Sequence, residues 1–103
     1  MKVVLSKSRG NLLLTEPAIR NLAHRKGITR DQLWSSFKWF RKESRTDLDL
    51  VGVVEELGKL ASSPHAELRV VEVPNGIEWE LVSINDIEVV VEKGHRWSWE
   101  QGK

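Results

Sequence analysis

The chain has 103 residues, with 16 Lys and Arg against 15 Asp and Glu, no cysteine, and five tryptophans without a tyrosine. That length supports one hydrophobic core and excludes two, and the absence of cysteine excludes a disulfide or a thiolate metal site. Its apolar runs, Val3–Leu5, Leu12–Leu14 and Val89–Val91, are far shorter than a membrane span, and Lys2 is followed by too few apolar residues for a secretory leader. A cytoplasmic protein, with no membrane partner and no cofactor, is the expectation.

The near-neutral total hides a division. Residues 1–45 carry eleven Lys and Arg against Glu16, Asp31 and Glu43, whereas residues 46–103 carry five against twelve Asp and Glu. The halves therefore carry +8 and −7, an asymmetry that points to an anionic partner for one end or to head-to-tail self-association.

In chain order, Lys2–Ser6 and Asn11–Leu14 read as two strands of a hairpin turning at Lys7–Gly10. Thr15 reads as an N-cap, Pro17 suits a first turn, Ala18, Ile19, Leu22 and Ala23 form an apolar stripe, and Gly27 ends a helix. A second helix is expected from Thr29 or Arg30 to about Ser44, with Leu33, Phe37 and Phe40 on one face. Thr46, with Asp49 as its capping-box partner, is expected to cap a third helix that buries Leu50, Val53, Val54, Leu57, Leu60 and Ala61. Gly52 and Gly58 weaken that helix, and close packing against a neighbour accounts for them.

From Glu67 the period shortens to two. Leu68–Val73, Glu78–Ser83 and Ile87–Glu92 read as antiparallel strands, the last two joined around Ile84-Asn85-Asp86. A three-residue connection places Trp79 and Leu81 on one face with Ile87, Val89 and Val91, and Glu78, Glu80, Glu88 and Glu92 on the other. The expected architecture is α+β in a single compact domain: a hairpin over 1–14, helices over 15–63 and a three-stranded antiparallel sheet over 66–99.

Several stretches resemble a set of small uncharacterised proteins of phages and bacterial genomes. They are Met1–Leu5 through Lys7, Gly10, Leu14 and Ala18; Asp49-Leu50-Val51 to Val54-Glu55-Glu56-Leu57-Gly58; Ala66 with Leu68–Pro74; and Ile77–Glu80 with Glu88, Glu92 and His95-Arg96-Trp97. That family begins Asn-Lys-Cys-x-Gly-Gly-Phe, carries Tyr-Asp-Gly-x-Glu, and closes His-Arg-Thr-Trp. The likeness covers both ends and the third helix and leaves out Gly27–Ser44. This chain departs from it with Ser6 for Asn, Ser8 for Cys, Asn11-Leu12 for Gly-Phe, Ile84-Asn85-Asp86 for Tyr-Asp-Gly, and no threonine before Trp97. The resemblance implies a phage or prophage setting in a bacterial host and no particular activity.

Three constellations carry chemistry. Trp34, Lys38, Arg41 and Arg45 fall at helical spacing, so guanidinium groups beside an indole could hold nucleic acid; a solvated face, or pairing of Arg20, Arg25, Lys26 and Arg30 with the acidic half, is the plain alternative. Glu78, Glu80, Glu88 and Glu92 make a carboxylate array that could imitate nucleic-acid phosphates, or simply keep one sheet face in water. Arg96, Trp97 and Trp99 either pack the C-terminal segment down or form a binding hot spot. Ser8 and His95 are a weak catalytic pair without an orienting third group, and His24, His65 and His95 lack metal-ligand spacing. The expected function is occlusion of a host macromolecule, at its sharpest an anti-CRISPR or anti-restriction inhibitor. A nucleic-acid-binding accessory protein and a small hydrolase are the alternatives.

Overall fold

The computed structural model describes residues 1–8, 12–37 and 42–103. Its element order is β1 (Lys2–Leu5), α1 (Glu16–Lys26), α2 (Arg30–Ser36), a 3-10 helix (Lys42–Thr46), α3 (Leu48–Leu57), a 3-10 helix (Gly58–Ala61), β2 (Arg69–Glu72), β3 (Glu80–Ile84), β4 (Ile87–Glu92), β5 (His95–Ser98) and a 3-10 helix (Trp99–Gln101). The fold is α+β, with three α-helices, a two-stranded sheet and a three-stranded antiparallel sheet.

Local signals set the helices. The Thr15 side chain accepts from the Ala18 N–H, Pro17 lies in the first turn, and Gly27 closes α1 at φ 67°. Thr29 and Gln32 form a reciprocal capping box on α2. This helix ends at Ser36, with Phe37 extended, rather than running to Ser44 as expected. Residues 38–41 lie outside the described residues, and Arg45 sits on the 3-10 helix Lys42–Thr46 instead of on α2. The cap of α3 is Asp47, not Thr46: its carboxylate accepts from Leu50 N at 3.0 Å. Because α3 stops at Leu57, Leu60 is exposed rather than buried.

The expected first strand exists, but its partner is not Asn11–Leu14. β1 pairs antiparallel with β2 in the register Val3 to Val71 and Val4 to Val70. Leu14 makes a single bridge, to Ser62, while Leu13 turns the chain at φ 46°. Burial explains the choice. Val3, Val4 and Leu5 are all fully buried, because β1 lies between two cores and needs apolar cover on both faces. Val4 and Val70 join the helices at Leu22, Leu33, Leu50 and Val53. Val3, Leu5 and Val71 face Val90, Trp99, Leu81 and Trp97 of the other sheet. The result is three layers, with helices on one side of β1–β2 and β3–β4–β5 on the other.

The three-stranded sheet is also composed differently from expectation: its third strand is β5, not 68–73. The β3–β4 connection has two residues, not three. Ile84 pairs with Ile87, and Asn85 and Asp86 both take left-handed φ, 53° and 65°, as a tight hairpin turn needs. That single-residue difference reverses one strand's faces relative to the other. Leu81 therefore stands opposite Val90 and Ser83 opposite Glu88, so Glu88 turns inward with Val90.

Candidate functional site

The reversed register decides the fate of two expected surface residues. Glu88 and Arg45 are each 1% exposed and bind one another bidentately between the two sheets. Arg45 Nη2 donates to Glu88 Oε2 at 2.9 Å, and its Nη1 donates to Glu88 Oε1 and, at 3.2 Å, to the Val4 carbonyl. The Ser6 N–H adds a bond to Glu88 Oε1 at 2.6 Å, and Glu88 N returns one to the Ser6 carbonyl at 3.1 Å. A charge taken out of water must be paired and hydrogen-bonded, and both groups are paired, with the Arg45 Nε–H alone of the guanidinium nitrogens left without a partner among the described residues. Arg45 and Glu88 are thus structural and present nothing to a partner.

Several cations of the basic half pair with carboxylates, some from the acidic half and some from Glu16 within their own. Arg25 reaches Glu56 at 2.6 Å, Lys26 reaches Asp47 at 2.7 Å and Asp49 at 3.2 Å, and Arg30 reaches Glu16 at 2.6 Å. Lys2 binds Glu55 at 2.8 Å, tying β1 to α3. Partial burial works against the Lys26 ammonium, but hydrogen bonds and charge from Asp47 and Asp49 outweigh it and raise its pKa. Hydrogen bonds from Arg30 and Arg25 hold the Glu16 and Glu56 carboxyls below their ordinary range. The charge asymmetry of the sequence is therefore folded onto itself. Of the expected basic face, Trp34 is 50% exposed on α2, Arg45 is in the interior, and Lys38 and Arg41 lie outside the described residues.

Three of the four expected carboxylates meet at the open end of the β3–β4 hairpin. Glu78, Glu80 and Glu92 line an open groove of about 940 Å³ with Lys42, Lys93, Ile77, Trp79 and Val91. Among the described residues none of the three carboxylates has an ion-pair partner. Trp79 is half-buried, and Lys42 Nζ lies 5.0 Å from its ring centroid while donating to the Trp79 carbonyl. The arrangement is an apolar floor whose rim carries three carboxylates and the ammonium groups of Lys42 and Lys93, and Lys42 over Trp79 shows how a cationic side chain with an alkyl stem sits there. The four carboxylates do not share one face as expected, because Glu80 projects with Val91 while Glu88 and Glu92 project oppositely. Lys42 and Trp79 went unrecognised in the sequence; the signal available was an indole flanked on both sides by glutamate.

The C-terminal tryptophans pack. Trp99 is buried, donates Nε1–H to the Glu67 carbonyl at 2.6 Å and carries the Arg69 guanidinium 3.8 Å from its ring centroid. Trp97 is half-buried against the same core, with the His95 ring 4.4 Å away. Arg96, between them, is exposed.

Ser8 and His95 are not brought together. Ser6 docks on Glu88, whereas His95 pairs with Glu92, four residues or roughly 13 Å further along β4 at ~3.3 Å per residue. Ser8 N donates to Ser6 Oγ at 2.9 Å in a local turn, and among the described residues no hydrogen bond joins it to His95. The described residues hold no group of three His, Asp or Glu placed for a metal ion, and no helix among them is long and apolar enough to cross a membrane.

No protein-family model matches the chain, and neither a curated protein nor a solved structure is significantly similar to it.

Proposed function

We propose that this chain is a small binding protein of phage or prophage type that occludes a basic surface on a host macromolecule. The observation that carries the reading is the convergence of Glu78, Glu80 and Glu92 on one groove over Trp79 with no cation among the described residues bound to them. Several carboxylates elsewhere, such as Glu16, Glu55, Glu56 and Asp47, are held in ion pairs, whereas these three hold none among the described residues and stand beside apolar surface. Such a surface complements a lysine- or arginine-rich patch, and electrostatic complementarity supplies both speed and selectivity of association. A nucleic-acid-binding component of a host defence system is the sharpest form of that target, and the resemblance to small phage proteins supports the setting.

The test is a pull-down of the tagged protein from bacterial lysate, with and without nuclease. We expect one protein retained in near-equal amount after nuclease, released by added polyanion, and lost when Glu78→Lys and Glu92→Lys are combined. Recovery of nucleic acid alone, lost as salt rises, would overturn the reading, as would undiminished retention by the double variant.

A further inference from the structure

The outward face of β3–β4–β5 is a second surface, built on a different set of side chains. Strand register places Glu80, Val91 and Arg96 in one row across the sheet, and Val82, Val89 and Ser98 in the next. Alternation turns both rows away from Leu81, Val90 and Trp97, which point to the core. Val82, Val89 and Val91 belong to neither hydrophobic core. Val82 and Val91 are half-buried and Val89 is buried at 3% exposure, so the apolar surface this face presents comes from Val82 and Val91. At its margins stand Glu80 and Arg96, both exposed and neither holding an ion pair among the described residues. Their backbones lie two strand spacings apart, roughly 10 Å at ~4.8 Å per spacing, and no ion pair joins them across Val91.

We infer that this face binds a second copy of the same chain. The charge pattern selects the geometry. A two-fold axis parallel to β4, between two sheets packed face to face, exchanges β3 with β5 and preserves height along the strands. Glu80 of each copy then meets Arg96 of the other, two opposite-charge contacts from one symmetry operation, while Val91 packs on its own counterpart and Val82 faces Ser98 of the other copy. A two-fold axis across the strands sets Glu80 against the Ile84 end of β3 and leaves every charge unmatched. The first arrangement is the isologous interface that sheet-on-sheet packing permits, with strands nearly aligned and sheets ~10 Å apart. The two surfaces share Glu80 and Val91, and a dimer keeps Glu78, Glu92 and Trp79 on the groove.

The experiment is sedimentation equilibrium on the purified chain at low and high salt. A concentration-dependent dimer that weakens with salt is expected. Glu80→Arg alone and Arg96→Glu alone each create two like-charge contacts and should weaken it roughly ten-fold or more. Mixing the two variants restores both contacts between unlike charges, so a heterodimer of near wild-type affinity should form. Circular dichroism confirms that each variant is folded, and both positions are exposed. A wild-type chain that stays monomeric up to its solubility limit overturns the inference. So does a dimer indifferent to either substitution, or a mixture of folded variants that does not associate.

Discussion

Arg45 and Glu88 stand 43 residues apart and form a bidentate ion pair sealed between the two sheets, with the backbone of Val4 in β1 and of Ser6 just after it adding hydrogen bonds. Three elements are joined there: the 3-10 helix before α3, the first strand and the central strand of the second sheet. Breaking the pair from one side leaves a buried charge alone. Glu88→Gln or Arg45→Met should each cost about 3–5 kcal/mol in urea unfolding. Replacing both together by Leu and Met should recover most of that loss, since a packed apolar pair removes the desolvation cost as well as the attraction. A double variant as unstable as the worse single one would show that the backbone contacts, not the charges, hold the site.

The two-residue turn at Asn85-Asp86 sets which face Glu88 takes. Asp86 has φ 65°, which aspartate tolerates and a β-branched residue does not. Asp86→Val should lower stability by ~1–2 kcal/mol, while Asp86→Gly should stay within about 1 kcal/mol of wild type. Thermal melts of the three chains check the order.

Gly52 leaves room for Arg25. A Cβ at Gly52 would approach Arg25 Nη1 to 2.6 Å, but the obstacle is the tip of a flexible side chain that can move. Gly52→Ala should therefore gain up to ~1 kcal/mol of helix propensity and lose a surface pair of similar or smaller worth, leaving stability within about 1 kcal/mol. Its distinctive mark is elsewhere. With Arg25 displaced, the Glu56 carboxyl should rise back toward its ordinary pKa in an NMR titration.

Acid should expose the same pairs. Glu16 and Glu56 have carboxyls lowered chiefly by hydrogen bonds from Arg30 and Arg25, so the folded chain binds their protons less readily than the unfolded chain does. Their contribution is present above the ordinary value of 4.5 and is lost as pH falls through the lower folded values. The gap in melting temperature between the wild type and a Glu16→Gln, Glu56→Gln variant should be widest near neutrality and close below pH 4.5. A gap constant down to strong acid would remove these pairs as its source.

Trp99 anchors the C-terminal segment. Its ring is buried against β2 and under Arg69, with its N–H satisfied at Glu67. Trp99→Ala should cost about 3–5 kcal/mol, whereas the half-buried Trp97 should cost less on the same change. Denaturant unfolding separates the two, and equal small losses would return this pair to the role of a surface hot spot.

What the sequence determined by itself is local. Thr15 with Gly27, and Thr29 at the start of the second helix, mark helix ends because capping bonds span three or four residues. The period of two after Glu67 announced strands for the same reason, and the α+β class followed. The tertiary structure decided the rest. β1 could have closed a hairpin with Leu12–Leu14; it takes β2 instead, across some 65 residues, because only a place between both cores buries Val3, Val4 and Leu5 together. One residue fewer in the turn after Ile84 sent Glu88 inward to Arg45 and broke the carboxylate array, leaving Glu78, Glu80 and Glu92 at the groove. Cations grouped in the first half found carboxylates that only folding brings within 3 Å, such as Glu56 for Arg25 and Asp47 for Lys26. Side-chain alternation and charge can be read residue by residue, but register and pairing are relations between distant segments, set by which arrangement buries the most apolar surface without stranding a charge.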